Sequence, residues 1–154
     1  MAIYHFSAQM IKRTDGRSAV AAAAYRAAEK LTDARTGTVA DFTKKSGVAS
    51  THILLPADAP ADYADRSTLW NAVERAETRS NSQVAREIDI ALPVELAPHQ
   101  QRDLILGFVQ QVFVDAGMCA DVALHDIYSG NPPAHVMLTT RNVDRTGFTT
   151  KNRD

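Results

Sequence analysis

His125 closes one apolar run near the end of the chain and His135 opens the next, with only the short stretch YSGNPP and its neighbours between them. A hairpin across that stretch would bring the two imidazoles together. Imidazole is the commonest protein ligand for transition metals, and two of them with one carboxylate make an open site with positions left for a phosphate or water. Either Glu87 or Asp89 could supply the acid. Both lie on one face of the alternating segment VAREIDIAL, and acids on one face of a strand need water or a ligand. The bland reading of the pair is two partly buried, hydrogen-bonded histidines. His5 reads as a core or supporting group on a central strand, and His52 and His99 as strand or surface residues.

A second chemistry centres on Tyr25. It stands in an alanine-rich helix with Ala21, Ala22 and Ala28 at neighbouring positions, so small side chains leave its ring accessible. It also borders a basic segment containing Lys12, Arg13, Arg17 and Arg26, where a nucleophile for a DNA phosphate would sit. Taken alone, the bland reading of Tyr25 is a packing residue. Tyr4 and Tyr63 lack that setting, and Tyr128, near the histidine hairpin, is the second candidate.

The charge distribution sharpens this. The 154 residues carry 17 Lys and Arg against 18 Asp and Glu, so composition alone indicates no nucleic-acid partner. Residues 1–55, however, hold eight basic residues (those four with Lys30, Arg35, Lys44 and Lys45) against four acidic ones. A phosphate-facing surface should therefore draw mainly on the first third. Cys119 is the single cysteine and lies among apolar neighbours, as a buried thiol would. No apolar run approaches the ~20 residues of a bilayer span, and MAIYHFSAQ lacks a signal-peptide pattern. The expectation is a soluble, cytoplasmic protein with no membrane insertion.

The elements that must position these residues follow from periodicity. Alternation predicts strands at 2–9, 51–55, 84–92, 120–127 and 134–140. Ser18 caps a predicted helix through AVAAAAYRAAEKL. A second helix is predicted over 66–79, and a third from Pro98 to about Ala116 with Leu104, Phe108 and Val112 on its inner face and Gly117 ending it. Residues 12–17 read as a turn, 32–49 as irregular with a short strand near Val39–Phe42, and 141–154 as a polar tail with no obvious stop. With 45% hydrophobic residues the chain supports one core. The pattern implies a single α+β domain over 1–154, a sheet with helices packed on it in two or three layers, cut from a longer protein of which it is the N-terminal part.

Several blocks in order, MAIYHFSAQMI, GRSAVAAAAYRAAEKL, HILLPADAP, LWNAVERAETRSNSQVAREIDIALP and ADVALHDIYSGNPPAHVMLTTR, resemble the MobA/MobL family of conjugative relaxases, the MobQ class, whose members include the N-terminal domains of TraA-type transfer proteins. The resemblance runs nearly end to end. It implies the relaxase palm of the histidine–hydrophobic–histidine endonuclease superfamily, a five-stranded antiparallel sheet with the metal site on its central strands and helices against it.

The resemblance assigns the nucleophile to Tyr25 and the ligands of a divalent metal, Mg²⁺ or Mn²⁺, to His125, His135 and the position of Pro133, with Glu87 as a further ligand or supporting group and Asp89 as its same-face neighbour. Proline offers no side-chain ligand, so Pro133 departs from the family pattern. The activity implied is plasmid mobilisation: strand-specific nicking and rejoining of an origin of transfer through a covalent 5′-phosphotyrosine, or, with Pro133 weakening the metal site, origin binding without efficient cutting. An unrelated domain in which Tyr25 and the histidines are structural would bind no single-stranded DNA. A free tyrosine has a pKa of ~10, so its proton must be removed or its phenolate stabilised; Arg26, the metal and Asp126 are the candidates. The DNA should be single-stranded at the nick with an adjacent duplex or hairpin, contacted by Lys12, Arg13, Arg17, Arg26, Lys44, Lys45 and Arg141. Accessory relaxosome proteins and a coupling protein are the further partners implied.

Overall fold

The structure is a computed structural model and describes residues 5–125 and 133–153. Asp126 and Tyr128, like Tyr4, lie outside the described residues.

Five strands make the main sheet: β1 (His5–Lys12), β4 (Val48–Leu54), β5 (Gln83–Ala91), β6 (Ala120–His125) and β7 (Pro133–Leu138), in the order β1-β5-β7-β6-β4 with every neighbour antiparallel. These are the five strands predicted. β1 is an edge strand, not a central one, so the expectation for His5 is corrected in that respect.

Register settles which side chains share a face. Asp89 stands opposite His135, His135 opposite Ala123, and Glu87 opposite Met137. Because side chains alternate, Glu87, Asp89, Asp121, His125 and His135 all belong to one face. Ile88, Ile90, Val122, Leu124 and Val136 belong to the other, where they pack against Ile105 and Val109 of α3 (Pro98–Val109). Pro98 starts this helix at its first position, and the Gln100 side chain accepts the Ala97 N–H at 2.9 Å. A π turn over Gln110–Val114 continues it, and Gly117 follows with φ 108°, where a Cβ would come within 2.8 Å of the Asn142 side chain. The fully buried stripe is Gln101, Ile105 and Val109; of the expected inner face, Phe108 packs partly buried against this core, whereas Val112, inside the π turn, is exposed.

The His/Asp face is roofed at one end by α1 (Ala19–Ala27) and α2 (Arg66–Ala76). Ser18 caps α1 by accepting the Ala21 N–H, and Asp65 caps α2 by accepting the Thr68 N–H. The alanines of α1 allow close approach to Ile11, Ala85 and Met137 but bury little area each; the fully buried Leu69 and Trp70 of α2 contribute more, about 1.5–3 kcal/mol for a large apolar side chain.

α1 is shorter than predicted. Ala28 takes the left-handed conformation at φ 57° and ends it, and the expected last turn becomes β2 (Lys30–Asp33), paired with β3 (Thr38–Asp41). β3 is the short strand expected near Val39–Phe42, and its pairing with β2 makes a hairpin where the remainder was read as irregular. The polar tail is likewise ordered, as β8 (Arg141–Asp144) and β9 (Gly147–Lys151).

Candidate functional site

Three elements converge at one end of the His/Asp face. β6 and β7 carry His125 and His135 side by side, their rings at 89° with centroids 4.4 Å apart. Asp89 of β5 hydrogen-bonds Nδ1 of His135 through Oδ1, which fixes the ring and leaves Nε2 as its other nitrogen. Nε2 of His125 is buried with no hydrogen-bond partner among the described residues. Burial first, then the charges of His135, Lys45 and Arg26, push the His125 pKa down to about 4, so the ring is neutral at neutral pH and offers a lone pair.

Tyr25 sits in the last turn of α1 with its side chain 45% exposed overall, the ring edge-on to Phe42 at 5.2 Å. Lys45 lies over it, Nζ 4.0 Å from the ring centroid, and also donates to the Tyr25 carbonyl at 2.9 Å. The Arg26 guanidinium lies 5.4 Å from the same centroid. Arg26 also pairs with Glu87, which lies on the same face of β5 as Asp89, so this cation connects the tyrosine to the histidine side of the sheet. Burial lowers the Arg26 pKa, opposed by Asp89 and reinforced by Arg17.

Glu87 is engaged by two guanidinium groups. Its buried carboxylate pairs with Arg26 and with Arg17 at 3.3 Å, and accepts from Gln9 at 3.0 Å. Of the two roles expected for it, ligand or supporting group, these ion pairs fit the supporting one: it holds Arg26 and Arg17, and Asp89 is the acid that meets a histidine. Among the described residues no group of three or more His, Cys, Asp or Glu is arranged to hold a metal ion. The pair His125 and His135 nevertheless suits one, with an unpartnered nitrogen on one ring and a carboxylate-oriented partner.

Two expected DNA contacts are also corrected. Arg13, 8% exposed, donates to the Glu77 and Arg79 carbonyls at 2.8 Å and to Glu74 at 2.6 Å, clamping the end of α2. Arg141 is bound to Glu77 at 2.6 Å and to the Thr149 carbonyl at 2.8 Å. Lys12 and Lys44 are exposed, and Arg17 and Lys45 partly so. His52 bonds Ser50, His99 is exposed, and Tyr63 is buried against Phe148. The sequence reading missed Phe42 as the ring beside Tyr25 and the hairpin residues Arg35, Thr36 and Thr38 beyond it. Their only signal was the turn chemistry of ARTGT, where Gly37 takes φ 74°.

The MobA/MobL family model matches residues 17–154. This chain belongs to the MobA/MobL family. It is 46% identical over 125 residues to the mobilization protein MobL of Acidithiobacillus ferridurans, covering 81% of this chain and 32% of the relative. It is 42% identical over 161 aligned positions to the conjugal transfer protein TraA of Agrobacterium fabrum, covering 98% of this chain and 14% of the relative. Its fold matches a solved structure described as "Molecular Basis of Vancomycin Resistance Transfer in Staphylococcus aureus" with TM-score 0.91 and 36% identity, over 99% of this chain and 79% of that one. The chain thus spans a third or less of these two curated relatives. No helix among the described residues is long and apolar enough to cross a membrane.

Proposed function

We propose that this MobA/MobL chain is a plasmid relaxase domain that nicks and rejoins one DNA strand at an origin of transfer. The observation that carries the reading is an accessible tyrosine, Tyr25, flanked by Lys45 and Arg26, with Arg26 paired to Glu87 on the same sheet face as Asp89 and the carboxylate-oriented histidine pair.

Tyr25 gives up its phenolic proton as Oη attacks the scissile phosphorus, the bond from phosphorus to the 3′ oxygen breaks, and that oxygen leaves and takes up a proton. The products are a 5′-phosphotyrosine and a free 3′-hydroxyl. One phosphoester bond replaces another, so the 3′-hydroxyl can attack the phosphotyrosine and rejoin the strand. Lys45 and Arg26 set positive charge against the ring of the attacking tyrosine, and Arg26 is itself held in place by Glu87. His125 and His135 would hold a divalent ion such as Mg²⁺ or Mn²⁺, with Asp89 behind His135. Such an ion supplies Lewis-acid charge to the non-bridging oxygens of the phosphate. The substrate on this reading is origin DNA, single-stranded at the nick beside a duplex or hairpin, and accessory relaxosome proteins and a coupling protein are further partners.

The test is incubation with single-stranded origin DNA, with Mn²⁺ or Mg²⁺ and with chelator, on a denaturing gel. A metal-dependent covalent adduct, absent in Tyr25→Phe, is expected. A second reading, an origin-binding module with weakened cutting, draws on Pro133 at the place of a third imidazole; DNA binding without adduct, regained in Pro133→His, would favour it. Absence of both binding and adduct would sink the relaxase reading.

A further inference from the structure

A cleft of about 430 Å³ opens on the outer side of Tyr25, between α1 and the β2–β3 hairpin. Its volume lies in the range of small-molecule sites, roughly 300–1,000 Å³. Its walls divide by chemistry. Ala21, Ala22, Ala40 and Phe42 give an apolar lining, with Phe42 held edge-on to Tyr25. Arg17 and Arg35 line it as well, their side chains 35% and 40% exposed, each tied to a single carboxylate by a long ion pair of 3.3 and 3.4 Å. Both guanidinium groups therefore keep donors for an anion.

Other groups in the cleft are already committed. The Ala19 N–H goes to Glu74 at 2.7 Å and the Ala21 N–H to Ser18 at 3.2 Å, so these first-turn donors of α1 are taken. Asp33 is buried and accepts from Ser18 and the Arg35 N–H, so its charge is engaged by donors at the cleft wall. What remains is a slot with an apolar, partly aromatic wall and two guanidinium groups, touching the proposed nucleophile. A flat heteroaromatic base with a phosphate fits that combination: bases stack on aromatic faces and Arg takes phosphate oxygens.

We propose that the cleft seats one unpaired nucleotide adjoining the scissile phosphate, its base against Ala21 and Phe42 and its phosphate toward Arg17 and Arg35. The inference rests on the relaxase reading and adds to it a position at which the strand is gripped, and read, beside the cut. A base still stacked in a duplex could not enter, so the cleft also selects single-stranded substrate.

The test is a binding scan with a fluorescein-labelled single-stranded oligodeoxynucleotide spanning the nick region, each position in turn replaced by an abasic sugar. It is run on the wild type, on Ala21→Leu, which fills the cleft with a good helix former, and on Thr38→Tyr, which fills it from the strand side. Folding of each variant is checked by circular dichroism, and two fillers on different elements guard against loss of one. In the wild type a single position should lose about ten-fold in affinity on base removal, as loss of one stacked base does. In both fillers that penalty should vanish while full-base binding falls by a similar factor. An abasic penalty that persists undiminished in the fillers, or no position with a penalty, would overturn the cleft inference and leave the adduct chemistry of Tyr25 standing. A wild type that binds no single-stranded DNA would overturn both.

Discussion

Lys45 meets Tyr25 twice, with its ammonium 4.0 Å from the ring centroid and a 2.9 Å hydrogen bond to the Tyr25 carbonyl. The first contact acts on the charge of the ring and the second ties the strand-side loop before β4 to the end of α1. Burial lowers the Lys45 pKa, as does the charge of Arg26. A cation over an aromatic ring at an exposed site is worth only about 0.5–1 kcal/mol to folding. Lys45→Ala should therefore shift the urea midpoint little, while the single-turnover rate of adduct formation falls by about 100-fold, the lower end of the range for loss of a positioned proton-handling group. A stability loss with an unchanged rate would assign Lys45 to packing alone.

Asp89 orients His135, and its removal should act on metal rather than on fold. Asp89→Asn is expected to weaken Mn²⁺ binding by about 10–100-fold, the usual cost of losing the carboxylate behind a metal-bound imidazole. Titration calorimetry of the two proteins, with Pro133→His as a gain-of-affinity counterpart, measures it. Equal affinities in all three would argue against a metal at the histidine pair.

Beneath the same face, Asp121 accepts from Arg66 at 2.7 and 2.9 Å and from the Trp70 indole at 2.9 Å, all three side chains being buried. Breaking a buried pair by removing one partner typically costs about 3–5 kcal/mol, because the other charge is left uncompensated. Glu29 at 2.9 Å keeps one contact for Arg66, so Asp121→Ala belongs near the lower figure. Urea unfolding gives the number directly, and a loss below about 1 kcal/mol, the scale of a surface pair, would contradict the burial argument.

Glu77 gives the fold an acid limit. Burial opposes its charge, but hydrogen bonds from Arg141 and Lys151, and their positive charges, outweigh burial and hold its pKa below the ordinary glutamate value. The unfolded chain therefore binds this proton first as pH falls. The contribution is present above about pH 4.3, the free glutamate value, and is lost as pH drops through the lower folded pKa. Glu77→Gln should be less stable than the wild type at neutral pH and show a shallower fall in urea midpoint toward pH ~3.

Cys119 should behave as a reporter of global opening. Burial pushes its pKa up to about 12, against a weaker opposing hydrogen bond with Thr139. Ellman's reagent should react with it only at the rate of unfolding, and fast labelling of the native protein would show that the core around it opens locally.

The five long strands were legible because alternation over six to nine residues is a strong signal, and in β5 it separates Ile88 and Ile90 from Glu87 and Asp89. β3 was legible as a short strand, whereas β2, β8 and β9, also only four or five residues long and paired locally in two-stranded hairpins, have short periodicity and low apolar content. The early stop of α1 was not legible, since alanine seldom takes the left-handed conformation that Ala28 adopts. In the site, Tyr25, the histidines and Asp89 were visible as residue types in a pattern. The fates of Arg13, Arg141 and Glu87 were not, because each is decided by partners more than 60 positions away in the chain.

The strand order has a consequence for synthesis on the ribosome. β7 and β6 lie at positions three and four of the sheet yet come after every other strand of it in the chain. Until they emerge, β1 and β5 can pair only with each other and β4 has no partner in the sheet. Both histidines arrive with these late strands, so a nascent chain that displays Tyr25 early has no histidine pair to work with until the sheet closes. The non-local pairings that make such a sheet slow to form also delay the site until the rest of its scaffold has been made.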